Sequence, residues 1–144
     1  MANRMTTRLA GIPGLETPWT PSSYRHSYWR YPLFIDAPRL GMGPDELAKT
    51  LFGQGIGAGP HYIRKPAFET EIFQKQRTFG QSRFPFTLAA PEALRWDPER
   101  FPGTYEFLER VLVLPWNESL EDPHIDFIAG CLCEAASVSV GSRS

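Results

Sequence analysis

Residues 43–66 read GPDELAKTLFGQGIGAGPHYIRKP, a stretch that passes from a helix signal to a strand signal and so decides the fold. Pro44 suits a first helical turn, and Asp45 and Glu46 suit the positive end of the helix dipole. Leu47, Ala48, Leu51 and Phe52 recur at helical spacing and make one apolar face, and Gly55 supplies the stop. The expected element is a short amphipathic helix laid on a sheet. Gly57, Gly59 and Pro60 are not needed for that stop, and they lead into a short expected strand, His61 to Ile63. Glycines there let the backbone pass close to a ligand while His61 and Tyr62 reach toward it. The plainer reading packs both rings in the core.

Working outward, HSYWRYPLFID (26–36) is rich in strand-forming residues. Tyr28, Arg30, Pro32 and Phe34 alternate against Trp29, Tyr31, Leu33 and Ile35, so a central strand is expected, with one ladder bond lost at Pro32. Residues 1–25, with few periodic apolar positions, read as an extended lead-in. Residues 64–100 form a long irregular middle, with one helical turn expected around Glu69 to Gln76. Their rings (Phe68, Phe73, Phe79, Phe84, Phe86, Trp96) argue for an ordered loop. A short helix is expected over Pro102 to Arg110, then the strand VLVLPW (111–116). Glu121 or Asp122 caps a last helix with Pro123 at its first position. Ile125, Ile128, Ala129, Leu132, Ala135 and Ala136 form its buried stripe. The domain proper is expected over 26–136, and 137–144 as a fraying tail. The fold class is α+β: a two-layer sandwich, its small sheet mostly antiparallel, with helices on one face and a long irregular middle loop.

The whole chain sets bounds on function. It has 144 residues, 42% apolar and 22% charged, with a net charge of −1. That suits one soluble domain and gives no electrostatic case for nucleic acid. No apolar run approaches the ~20 residues that span a bilayer. MANRMTTRLAG lacks the apolar core of a secretory signal, so a cytoplasmic location is expected. Cys131 and Cys133 point to different faces of a helix and share neither a disulfide nor a metal. The 14 prolines and 13% aromatics suggest ordered loops of the kind found around binding sites.

Catalytic signatures are missing from the sequence. It contains no glycine-rich nucleotide cradle and no nucleophile elbow. His26, His61 and His124 lack metal-ligand spacing, and His124 falls in the first turn of the last helix. Lys49, Lys65 and Lys75 sit in polar surroundings without the burial that activates a lysine. No catalytic residue is assigned.

The order of motifs is more specific. HSYWRYPLFID, QGIGAGPHYIRKPAF, SRFPF and VLVLPWNESLEDPHIDFIAGCL resemble, in that order, the C-terminal domain of the DegT/DnrJ/EryC1/StrS family. The likeness covers roughly residues 8–136. These are fold-type I, pyridoxal-phosphate-dependent aminotransferases acting mostly on keto-sugars and keto-cyclitols. The resemblance implies a small domain that closes over the cofactor cleft and shapes the substrate pocket. In the family a large N-terminal domain carries the lysine that holds the cofactor, the acid facing its pyridine nitrogen and the phosphate-binding residues. None of these matches a position here, and Lys65 does not correspond to that lysine. The chain alone is therefore expected to lack activity and not to bind pyridoxal phosphate.

The resemblance places His61 and Tyr62 toward the substrate pocket, with hydrogen bonds to offer a keto-sugar or nucleotide-sugar ligand. Arg30, Arg83 and, more weakly, Tyr28 join them as substrate-binding candidates. Arg30 is equally suited to pairing with Asp36 or Glu118. The expected partner is a large-domain chain or, as members of the family commonly form, a homodimer partner, with an exposed apolar face for docking that includes Trp19, Trp29 and the middle-loop phenylalanines. A free-standing sugar-binding module or an inactive remnant are the competing readings.

Overall fold

The computed structural model describes residues 1–141. It divides into two compact units, one of Met1–Tyr62 with Glu109–Ser144, the other of Ile63–Leu108.

The first unit is built on a four-stranded sheet in the order β1-β2-β4-β3, from β1 (Leu15–Glu16), β2 (Tyr31–Ile35), β3 (Gly59–Pro60) and β4 (Val111–Leu114). Every pairing is antiparallel. The centre is the β2–β4 pair, with Tyr31 opposite Leu114 and Leu33 opposite Leu112. Tyr31, Leu33 and Ile35 alternate inward, as the period of a strand requires, and are fully buried with Leu112 and Leu114. Pro32 is accommodated in this pair opposite Val113.

Helices form the second layer. The strand side chains share one core with Met5 and Leu9 of α1 (Ala2–Leu9), Leu40 of α2 (Ala37–Leu40), Leu47, Ala48 and Leu51 of α3 (Pro44–Gly53) and the stripe of α6 (Asp122–Gly141). That stripe is the expected one: Ile125, Ile128, Ala129, Leu132, Ala135 and Ala136 are all buried. The α+β reading thus holds. The buried Tyr31 hydroxyl is satisfied by Thr6 Oγ1 at 2.6 Å, and its ring stacks on Trp116 at 4.9 Å. Burial pushes its phenol up from the ordinary value.

Several expectations are corrected. The lead-in 1–25 opens with a helix, α1, because two apolar residues at i and i+4 suffice once α6 covers them. Arg4 and Arg8 then clasp Asp126 on α6, with Arg4 Nη2 2.6 Å and Arg8 Nε 2.9 Å from its carboxylate. The strand expected from residue 26 begins only at Tyr31. Tyr28 adopts φ 51°, which no strand tolerates, and Trp29 lies exposed. Helix α3 begins and ends as expected, at Pro44 and just before Gly55 (φ 80°), but Phe52 points to solvent instead of joining the apolar face. The strand expected at His61–Ile63 lies two residues earlier, at Gly59–Pro60. The tail 137–144 is helical as far as Gly141, and residues 142–144 lie outside the described residues.

Gly14 locks α2 to the sheet. Asp36 N–H donates to its carbonyl at 2.8 Å, its φ is 79°, and a side chain there would meet the Leu40 backbone nitrogen at 2.3 Å. Only glycine fits such an approach.

The second unit is the irregular middle. It holds 3-10 turns at Ala67–Glu69, Phe86–Leu88, Pro91–Leu94 and Pro98–Arg100 and a single helical turn, α4 (Glu71–Gln74). The last helix before β4, α5 (Pro102–Arg110), has the expected bounds. Rings provide its order, as anticipated: Phe68 packs 4.7 Å from Phe101, and Phe73 meets Trp96 edge-on at 5.6 Å. Tyr105 donates its hydroxyl to Glu69. Phe79 and Phe84 remain exposed.

Candidate functional site

The helix starts and strand ends of the first unit converge on one cleft. Where β2 ends, Asp36 turns the chain by accepting the Arg39 N–H at 3.2 Å, capping α2. Gly43 and Pro44 then start α3, and Asp45 sits in its first turn. Arg110, in the first unit just ahead of β4, donates from Nε to the Ile35 carbonyl at 3.3 Å while its Nη2 meets Glu16 Oε1 at 2.8 Å. A cleft of about 650 Å³ opens between these elements, lined by Glu16, Asp36, Pro38, Pro44, His61 and Arg110, among others.

His61 is fixed there by its backbone and its ring. Its N–H donates to the Val111 carbonyl at 2.8 Å, which prolongs the β3–β4 pairing by one bond. The chain then turns sharply, with His61 at φ 60°, Tyr62 at φ 49° and Arg64 at φ 66°. Left-handed conformations at bulky residues are uncommon and costly, and they cluster where a site needs them. The turn directs the ring back to α3, where Nε2 lies 2.6 Å from Asp45 Oδ2. A carboxylate only accepts, so the shared proton sits on Nε2.

The remaining candidates are dispersed. Tyr62 follows His61 but is 44% exposed and does not line the cleft. Arg30 meets neither Asp36 nor a cleft wall; its guanidinium lies 5.2 Å over the Trp29 ring. Tyr28 belongs to an aromatic group with His26, Tyr31 and Trp116. Arg83, in the second unit, donates to Gln76 Oε1 at 2.7 Å. Of the residues singled out from the sequence, His61 and Asp36 line the cleft. Glu16 and Arg110, which also line it, were missed, since they are 94 positions apart and leave no local signal, as was Asp45, the partner of the His61 ring.

The cleft is lined by polar and charged groups alongside Ile35, Ala37, Pro38 and Pro44. Its charged groups are the Glu16, Asp36 and Glu109 carboxylates and the Arg110 guanidinium, with the His61 imidazole beside them. Cys131 and Cys133, both half-buried thiols, lie elsewhere on α6, and burial pushes the Cys131 thiol up. Among the described residues no His, Cys, Asp and Glu group is placed to hold a metal, and no helix is long and apolar enough to cross a membrane. The residues present do not fit pyridoxal phosphate. Lys49, Lys65 and Lys75 are all exposed, and Lys75 pairs with Glu71.

Comparison with known proteins places this architecture. The family model described as the DegT/DnrJ/EryC1/StrS aminotransferase family matches residues 1–96. The spore coat polysaccharide biosynthesis protein SpsC of Bacillus subtilis (strain 168) is 28% identical over 127 residues, covering 88% of this chain. This chain spans only 28% of that protein's length. Among solved structures, the one described as "Putative sugar aminotransferase Spr1654 from Streptococcus pneumoniae, apo-form" superposes with a TM-score of 0.68 at 18% identity, over 99% of this chain and 31% of its own. The aminotransferase TlmJ from Streptoalloteichus hindustanus gives 0.62 at 20% identity, over 95% and 30%. At those identities the structures establish a shared fold. With the family model matched over two-thirds of its length, the chain belongs to the DegT/DnrJ/EryC1/StrS aminotransferase family.

Proposed function

We propose that this chain is the substrate-covering C-terminal domain of a sugar aminotransferase, and that it works only beside a large domain supplied by the rest of the family's fold. One observation carries this reading: nearly the whole chain matches less than a third of its relatives, and no lysine it contains is placed to hold the cofactor. The amino acceptor is a keto-sugar or keto-cyclitol, free or as a nucleotide sugar, and amino-group transfer depends on pyridoxal phosphate held by the large domain. In this role the chain orients and encloses. His61, fixed by Asp45, offers a directed hydrogen bond to a hydroxyl, while Tyr62, Arg30 and Arg83 offer further donors in the closed assembly.

The experiment is a visible absorption spectrum of the assembly isolated from its source cells, before and after borohydride. A pyridoxal band that borohydride abolishes supports the reading. An assembly without the band refutes it.

The cleft beside His61 favours a second reading, a free-standing sugar-binding module. Calorimetry of the isolated chain with a nucleotide sugar and with an amino sugar tests it. Saturable binding, weakened about three- to tenfold by His61→Ala as loss of one neutral hydrogen bond implies, is the expected result. No heat from either ligand removes this reading.

A further inference from the structure

Three of the most exposed large rings fall within eleven consecutive residues. Trp19 is 83% exposed, and Tyr24 and Trp29 are each 73% exposed. The segment that bears them belongs to no helix or strand. It is nonetheless fixed at its base, where Tyr28 stacks on the buried Tyr31 at 5.5 Å and the Tyr28 N–H donates to His26 Nδ1 at 2.8 Å. A tryptophan exposed to that degree on an ordered segment costs solubility unless something covers it.

We propose that residues 17–30 form the surface on which the large-domain portion of the family's fold docks, with Trp19, Tyr24 and Trp29 as its anchors. The proposal rests on the functional reading above and adds to it the place of contact. Length is the first argument. About seventy per cent of each relative's length lies outside the match, and such a part shares an interface with its neighbour within one protein. Area is the second. At 150–250 Å² per ring, scaled by the exposures above, the three offer about 350–550 Å² of apolar surface against ~800 Å² per partner for a stable interface. Charge is the third. The stretch 17–30 holds Arg25 and Arg30 and no carboxylate, and Arg30 is already poised over the Trp29 ring. The occupant is therefore an apolar surface rimmed by Asp and Glu. A tryptophan–arginine pairing of this type is typical of residues that dominate binding energy.

The test uses the full chain in its source cells with the photo-crosslinking residue p-benzoylphenylalanine placed at position 19 or 29. The same residue at position 52, where Phe52 is comparably exposed on α3, serves as control. Mass spectrometry identifies the attached peptide. The expected result is attachment from 19 and 29 to a polypeptide of this family that contains its cofactor-holding lysine, with none from 52. Trp29→Ala should weaken that complex about thirtyfold, the effect of losing one anchoring tryptophan. Attachment to a second copy of this chain, equal attachment from 52, or none from 19 and 29 overturns the proposal. The pyridoxal band separates the two failures. With the band present and no attachment from 19 or 29, the surface is wrong and the functional reading stands. With neither, both fall.

Discussion

Replacing Gly14 by alanine tests whether α2 is clamped to the sheet through a bare backbone. The new methyl group would lie 2.3 Å from the Leu40 nitrogen and 2.8 Å from the Asp36 carbonyl oxygen, both backbone atoms that cannot rotate aside. A left-handed φ costs an L-residue about 1–2 kcal/mol. Forcing packed backbone apart adds about 1–3 kcal/mol. Gly14→Ala should therefore lose about 2–5 kcal/mol, a large share of the ~5–15 kcal/mol that holds a typical domain. Gly11 supplies the control. Its φ is 83°, nearly that of Gly14, but nothing lies within 4 Å of its would-be side chain. Gly11→Ala should cost only the conformational part, about 1–2 kcal/mol. In urea, with a slope near ~1.5 kcal/mol/M, the midpoint should fall by about 1.5–3 M for Gly14→Ala and about 1 M for Gly11→Ala. Equal losses from the two variants would refute the clamp.

The α1–α6 clasp should be visible in acid. The Arg4 and Arg8 guanidinia hold the Asp126 carboxyl well below the usual carboxylate range, with the Arg4 hydrogen bond the largest cause. A carboxyl depressed on folding stabilises the native state above its unfolded pKa, near 4, and that contribution fades as the pH falls below it. Thermal midpoints should thus drop from pH 6 to pH 3 more steeply in the wild type than in Asp126→Asn, and parallel curves would dismiss the clasp. In the second unit, the hydrogen bond to Glu69 is the main cause that pushes the Tyr105 phenol up to about 12. Ultraviolet titration should show one tyrosine ionising that late, and Glu69→Gln should return it toward 10. The bond's contribution is complete below pH 10 and is lost as the pH rises through 12. An unchanged titration in Glu69→Gln would count against the bond.

The parts of the fold legible in the sequence are those whose signal is local. Helix α3 announces itself by Pro44, two acids and Gly55; α5 and the buried stripe of α6 follow from spacing alone. Helix α1 was missed because its stability is tertiary, resting on Met5 and Leu9 against α6 and on two arginines that find Asp126 at the other end of the chain. The strand reading failed at 26–30 and 61–63 for a related reason. Aromatic and β-branched residues there satisfy strand propensity, but the left-handed Tyr28, His61 and Tyr62 end the ladders, and nothing in residue type marks such a turn. The candidate site was legible in part. Glycines around His61 single out a residue that does line the cleft, whereas Glu16 and Arg110, which line it too, are 94 positions apart and meet only through the fold.

The order of the sheet has a consequence for synthesis on the ribosome. β2 is flanked by β1 and β4, so its principal partner is made some eighty residues later, and the Arg4–Asp126 contact spans 122 positions. At ~5–20 residues per second, about 6–24 s separate the emergence of Arg4 from that of Asp126. Throughout that interval α6, which covers Met5 and Leu9, and β4, the central partner of β2, are still missing. The nascent chain thus presents a half-built sheet edge for several seconds, the kind of transient surface that is prone to aggregate.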